Sequence, residues 1–389
     1  MSGHMGDLSN EQELSLKKFR ECVTDILKPE HDDFYLLRWL RARKFDLSKS
    51  EQMLRRHMEC RAEWELDTAR EWEPPEVLRL YQPGEFFGED RDGDLVYYDV
   101  TGNMDFKGLL KSARKYDIMK KALRNGEICT KLLAEQSKKH GNRVDLVTVV
   151  MDLGGIGWHN LWKPALDLFI EMARFSEQNY PERLKASYVI NAPKLMAVLY
   201  GMVQPFLAEE TRTKIHILGR DWRDVLLKHI HPDKLPVHYG GNATGPNGDP
   251  TCGICQGGTV PKRYYLSEIG HFSKDDPLRK SATISAGHAL DVPVEVAEAG
   301  SVIWWGVKSE SHDVNVGLTY YKTSSELENE MELIMPVERV DCSLIPEESH
   351  YACSKKGTYV LKLDNSHSFM RSKKIVYYVY VSKPEDSSN

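Results

Sequence analysis

Asn179-Tyr180-Pro181-Glu182-Arg183-Leu184, followed after Lys185 by Ala186-Ser187-Tyr188-Val189-Ile190, is the stretch whose reading decides the fold. Its second half is rich in β-branched and aromatic residues, the composition of a buried strand, while its first half sets charged groups at the strand's entry. Residues 195–208 then run without a charged side chain, and Lys214 stands directly before a second apolar run, Ile215-His216-Ile217-Leu218. Charged groups thus bracket segments built for burial. The pattern suits a protein that shelters a long apolar molecule and fixes its anionic end with a few ions.

Working outward, short apolar runs at 95–100, 146–151, 186–190 and 215–218 are strand candidates. Between them Leu166, Phe169, Ile170 and Phe175, and then Leu195, Val198, Leu199, Met202 and Phe206, recur near helical spacing. Alternation of this kind predicts an α/β domain with a parallel or mixed sheet. Upstream, Leu36, Leu37, Trp39 and Leu40 cluster before Arg41-Ala42-Arg43-Lys44-Phe45, and Ser48-Lys49-Ser50-Glu51 has the capping-box pattern of a new helix. Residues 240–262 are rich in Gly, Pro, Asn and Thr and lack periodicity, as a linker does. Beyond them, runs at 301–305, 314–321, 357–363 and 375–381 alternate as in an antiparallel sandwich. The expected organisation is a helical region at 1–75, an α/β domain at 76–245, a linker at 246–262 and a β-sandwich at 263–389.

The 389 residues carry a formal net charge of −6, which argues against nucleic acid as a partner because phosphate affinity needs a positive surface. Seven cysteines, Cys22, Cys60, Cys129, Cys252, Cys255, Cys342 and Cys353, are an odd number spread over the whole chain. Reduced thiols in the cytosol fit this better than a disulfide framework. No segment reaches the roughly 18 to 20 apolar residues of a membrane-spanning helix. A cytoplasmic protein with transient peripheral membrane contact is expected.

Several motifs lead away from chemistry. Asp152 precedes Leu153-Gly154-Gly155 at a strand end, but the glycine spacing is incomplete for a dinucleotide site, so Asp152 reads as a turn residue. Cys252 and Cys255 are half of a zinc pattern without a second pair, and His229, His231 and His238 have no regular ligand spacing. No metal or cofactor is expected. Without a nucleophile elbow, a phosphate loop or paired carboxylates, no catalytic residue is assigned and no enzyme activity is expected.

Arg41 to Asp46, Tyr180-Pro181-Glu182-Arg183, Ile190-Asn191-Ala192-Pro193 and Leu235-Pro236-Val237-His238-Tyr239-Gly240-Gly241 together resemble the CRAL-TRIO family of lipid-transfer proteins. Gly357-Thr358-Tyr359-Val360-Leu361-Lys362-Leu363, with Phe369 and the strand from Lys373-Lys374, resembles the GOLD domain that some members carry. The resemblance implies a CRAL-TRIO-like α/β lipid-binding domain after a helical region and before a GOLD-like jelly-roll sandwich. It implies one hydrophobic ligand in an internal cavity under a lid helix that opens at a membrane. For members that exchange phosphatidylinositol, it implies a headgroup site that here would be Arg43, Lys44, Asp90, Glu182, Arg183 and Lys214. The strand positions of the phosphatidylcholine-binding hydroxyls are occupied by Val147 and Val149, which puts that second activity in doubt.

The residue types suit the task. Arg183 offers a bidentate fork to phosphate, Lys214 a point charge, and Glu182 an acceptor for ring hydroxyls. Arg43 and Lys44 would equally serve a helix C-terminus with no ligand present, and each charged group alone reads as an ordinary ion pair. Leu195, Val198, Leu199, Met202 and Phe206 would line or gate the cavity, with Gly201 and Pro205 weakening helix continuity. Two alternatives stay open. The ligand is an uncharged isoprenoid such as retinal, tocopherol or squalene, or the chain is a lipid-regulated trafficking scaffold whose GOLD-like domain takes a protein partner.

Overall fold

The computed structural model describes residues 3–157, 162–266, 271–321, 331–343 and 345–383. Two units emerge: residues 1–106 with 119–259, and residues 107–118 with 260–389.

The first unit opens with α1 (Asn10–Cys22), α2 (Asp33–Ala42) and α3 (Leu47–Glu63). Each is N-capped by a side chain: Ser9 in a full capping box, Asp32 accepting from Tyr35 N, and Asp46 accepting from Lys49 N. The third helix therefore starts just before the Ser48–Glu51 pattern and is capped by the aspartate in front of it. Phe19, Leu36, Leu37, Trp39, Leu40 and Leu54 are fully buried together and hold the three helices.

After α4 (Glu76–Tyr81) come β1 (Glu85–Glu89), β2 (Leu95–Asp99), α5 (Phe106–Ser112), α6 (Lys115–His140), β3 (Val147–Asp152), α7 (Lys163–Asn179) and β4 (Leu184–Ile190). The unit continues through α8 (Met196–Val203), α9 (Glu209–Thr213), β5 (Ile215–Ile217) and α10 (Trp222–His229), whereas residues 107–118, most of α5 and the first turn of α6, belong to the second unit. The sheet order follows the chain from β1 to β5. The β1–β2 pair is antiparallel, and the remaining pairs are parallel.

Side chains alternate across a strand, so this sheet has two working faces. Val96, Tyr98, Val150, Ala186, Tyr188 and Ile190 pack with Trp222, Leu226, Ile230 and Tyr239 in one core. Tyr97, Asp99, Val147, Val149, Met151, Ser187 and Val189 belong to the opposite register and line a cavity. The two-residue period of β2, β3 and β4 thus decides which residues form a core and which line the cavity.

The second unit contains two four-stranded antiparallel sheets built from β6 (Lys280–Ile284), β7 (Ala289–Val296), β8 (Val302–Ser309), β9 (Val314–Tyr321), β10 (Met331–Val340), β11 (Glu347–Ala352), β12 (Gly357–Asp364) and β13 (Lys373–Ser382). Their orders are β10-β9-β12-β7 and β11-β8-β13-β6. Trp305, Leu318, Tyr359, Leu361 and Leu363 lie in the shared core, so the fold is a β-sandwich.

Candidate functional site

The cavity lies wholly within the first unit and has a volume of about 520 Å³. This falls in the roughly 300 to 1,000 Å³ range that holds one small hydrophobic ligand. Its floor is the register of β2, β3 and β4 described above. Its walls include Leu123 and Gly126 of α6, and Phe169, Met172 and Phe175 of α7. Gly126 is required where it stands: a Cβ there would come within 2.4 Å of the Tyr180 ring. Tyr180 lines the cavity, and its hydroxyl donates to Glu127 Oε1 at 2.9 Å.

One wall is α8 with the turn after it. Met196, Leu199, Tyr200, Val203 and Leu207 line the cavity. Val198 and Met202 are 42% and 39% exposed, on the other side of the same short helix. The expected lining set is therefore divided. Leu199 faces in, Val198 and Met202 face out, Leu195 is buried beside the helix, and Phe206 takes the Arg174 guanidinium over its ring at 4.3 Å. The segment is apolar on both sides, so the 3.6-residue period that places one face elsewhere carries no information here.

At the entry of β4, Glu182 and Arg183 both line the cavity. Glu182 has a left-handed backbone, φ 61°, which turns the chain into the strand. Its Oε2 accepts from Arg41 Nε at 3.3 Å, and both side chains are nearly buried. Burial and a hydrogen bond with Glu210 push the Glu182 carboxyl above its ordinary range. Lys214 Nζ lies 2.9 Å from Glu210 Oε1, which closes a cluster of two cations and two carboxylates. Arg183 points to a separate partner, with Nη1 donating to the Asp145 carbonyl at 3.1 Å and to Asp145 Oδ1 at 3.3 Å. Burial lowers its pKa, and its Nε has no hydrogen-bond partner among the described residues. Arg38, also buried, donates Nε–H to the Pro181 carbonyl and thereby clamps the same turn.

The cavity has another polar end. Tyr97, Asp99, Thr101 and Asn125 line it near the carboxyl end of β2. Asp99 Oδ1 accepts from the backbone N–H and the hydroxyl of Thr101. Its Oδ2 has no hydrogen-bond partner among the described residues, and burial raises its pKa with no cation opposing the shift.

Three family descriptions match the chain: CRAL/TRIO, N-terminal domain at residues 8–56; CRAL/TRIO domain at 81–241; and Golgi-dynamics membrane-trafficking, the GOLD type, at 321–382. The chain belongs to the CRAL/TRIO family. It is similar to Protein ctg-1 of Caenorhabditis elegans, 29% identical over 376 residues that cover 95% of this chain and 96% of that one. It is also similar to Protein real-time of Aedes aegypti, 30% identical over 339 residues covering 84% of this chain. The match covers 51% of Protein real-time, so this chain spans about half of that relative. Among solved structures, Sfh5 aligns with a TM-score of 0.47 and 17% identity over 63% of this chain and 88% of that one.

Within this CRAL/TRIO protein, Glu182 and Lys214 come together in one ion cluster, with Arg183 adjacent. Lys214, like the remaining headgroup candidates Arg43, Lys44 and Asp90, lies outside the cavity lining. Arg43 donates Nη1–H to its neighbour's carbonyl, that of Ala42, and Lys44 Nζ sits 3.6 Å from Glu209 with both side chains in solvent. Asp90 is 7% exposed, accepts from Thr148 Oγ1, and joins Asp92 and Asp94 around Lys185 Nζ at 2.7 to 2.8 Å. In the CRAL/TRIO domain that turn braces β3 and β4 from the face opposite the cavity. Asp152 accepts from Gly154 N and Asn191 Nδ2, a turn role.

Arg41, Glu210, Asp145 and Asp99 escaped sequence reasoning. The signal for Asp99 was available: with Tyr97 it shares the register of the inward-facing β3 positions, and a carboxylate in that register of an apolar strand is unusual. Arg41 carried no such signal, because its partner lies 141 residues away.

Proposed function

We propose that this CRAL/TRIO protein carries one lipid molecule in its cavity and moves or presents it between membranes, and that the ligand is an uncharged lipid bearing a hydroxyl, as isoprenoid alcohols and tocopherols do. The observation that carries the ligand class is Asp99, a carboxyl on the cavity wall with one open oxygen, a raised pKa and no cation beside it. An apolar chain end against that group would leave it unsatisfied at a cost of about 1 to 3 kcal/mol, and a hydroxyl removes the cost. Arg41 and Lys214 are already matched by Glu182 and Glu210, while Arg183 shares Asp145 with Arg143. The protein works by solvation and no bond is made or broken. A membrane lipid with roughly thirty methylenes at ~0.8 kcal/mol each meets a barrier on the order of 20 kcal/mol in leaving a bilayer for water. An apolar cavity replaces the acyl environment, and α8, apolar on its outer side as well, is the element that would meet the bilayer.

The test compares α-tocopherol with its methyl ether in equilibrium binding. The parent chain should prefer the free phenol, and Asp99→Leu should bind both alike. Equal binding of the two by the parent would contradict the assignment.

Phosphatidylinositol is the second reading, and it has its own supporting observation: Arg183 lines the cavity beside Glu182 with a buried, unpartnered Nε. Under it, Arg183→Met abolishes phosphatidylinositol extraction, whereas under the first reading it leaves tocopherol binding intact. We place the protein in the cytoplasm, with transient membrane contact during exchange.

A further inference from the structure

Phe369 and Met370 are 96% and 93% exposed, the two most exposed large apolar side chains among the described residues. They form the tip of the loop between β12 and β13 in the second unit. The loop's base is fixed. Asn365, fully buried, directs its side-chain amide to the carbonyls of Ile284, Ser285 and Arg371. The tip is closed by a turn in which Ser368 Oγ donates to the Arg371 carbonyl and accepts from Arg371 N. A stapled loop thus holds two greasy side chains in water, at a standing cost to solubility that a single scattered residue does not carry.

The charge around the tip indicates what covers it. Residues 365–374 contain no carboxylate and three cations, Arg371, Lys373 and Lys374, in a chain whose net charge is −6. Lys373 is buried against Asp313 at 2.9 Å. Arg371 contacts the imidazole of His312 and no carboxylate among the described residues, and Lys374 lies in solvent 3.7 Å from an equally exposed Glu310. An aromatic and a methionine flanked by exposed cations match a bilayer interface, where apolar groups enter the headgroup layer and cations meet anionic lipid.

We propose that the Phe369–Met370 loop is a membrane-docking element of the sandwich unit, specific for anionic bilayers and separate from the lipid cavity. The inference is independent of which ligand the cavity takes.

The test uses the full chain and vesicles of phosphatidylcholine with or without phosphatidylserine. Parent protein should partition preferentially to the anionic vesicles, less so at high salt. Phe369→Ser combined with Met370→Ser should lower that partitioning on the order of tenfold or more, with an unchanged unfolding temperature because both residues lie outside the core. In a Phe369→Trp variant, the emission added over parent should shift to the blue on anionic vesicles and be quenched by brominated acyl chains. The proposal is overturned by parental partitioning of the double serine variant, or by an added emission that stays that of water on vesicles carrying bound protein. The second result is the one a protein-docking loop would give.

Discussion

Arg41 Nε and Glu182 Oε2 lie 3.3 Å apart across 141 residues of sequence, joining the last turn of α2 to the turn that enters β4. This contact ties the helical region to a residue that lines the cavity.

Removing Arg41 should therefore be felt in stability. Arg41→Ala leaves a mostly buried carboxylate beside Glu210, with only Lys214 nearby, and should cost on the order of 2 to 3 kcal/mol. Glu182 already has a raised pKa, so lowering the pH protonates it and relieves the defect. The loss measured by urea unfolding should be larger at pH 7 than at pH 5.

Asp99 gives a second pH signature. Its folded pKa is above the ordinary 3.8, so its protonated form favours the folded state; that contribution is complete below 3.8 and is lost as pH rises through the elevated value. Asp99→Asn keeps an oxygen for Thr101 and cannot ionise. In unfolding of the ligand-free chain, it should be more stable than parent at pH 7, and the advantage should vanish as the pH falls toward 4.

Much of this fold was legible because it rests on local composition. The strands at β2 to β5 announce themselves through β-branched and aromatic runs, and the sandwich through its alternation. The helix at α8 was visible as an uncharged segment, yet its inward face was not, because Met196, Leu199 and Val203 differ from Val198 and Met202 in surroundings and not in chemistry. Asp90 illustrates the opposite problem. It is assigned to the headgroup site by resemblance alone, and the structure places Lys185 among Asp90, Asp92 and Asp94.

That lysine should be structurally costly to remove. Lys185→Met leaves three carboxylates facing one another, one of them buried, and should destabilise the chain by about 3 kcal/mol in urea unfolding. Ligand affinity, measured at a temperature where the variant is folded, should not change.

The two sides of α8 should separate binding from delivery. Leu199→Asp with Val203→Asp places charge on the cavity wall and should lower ligand retention by at least tenfold, read by equilibrium binding. Val198→Ser with Met202→Ser changes only the outward side and should leave retention intact while slowing transfer between vesicles several-fold.

Native mass spectrometry of the protein purified from cells without detergent bears most directly on the central claim that the cavity is completed by a lipid. A single mass increment per chain, released by organic extraction, identified as an uncharged hydroxyl-bearing lipid and absent from Leu199→Asp with Val203→Asp, is the predicted result. A bare chain mass, or an increment that persists in that variant, would contradict it.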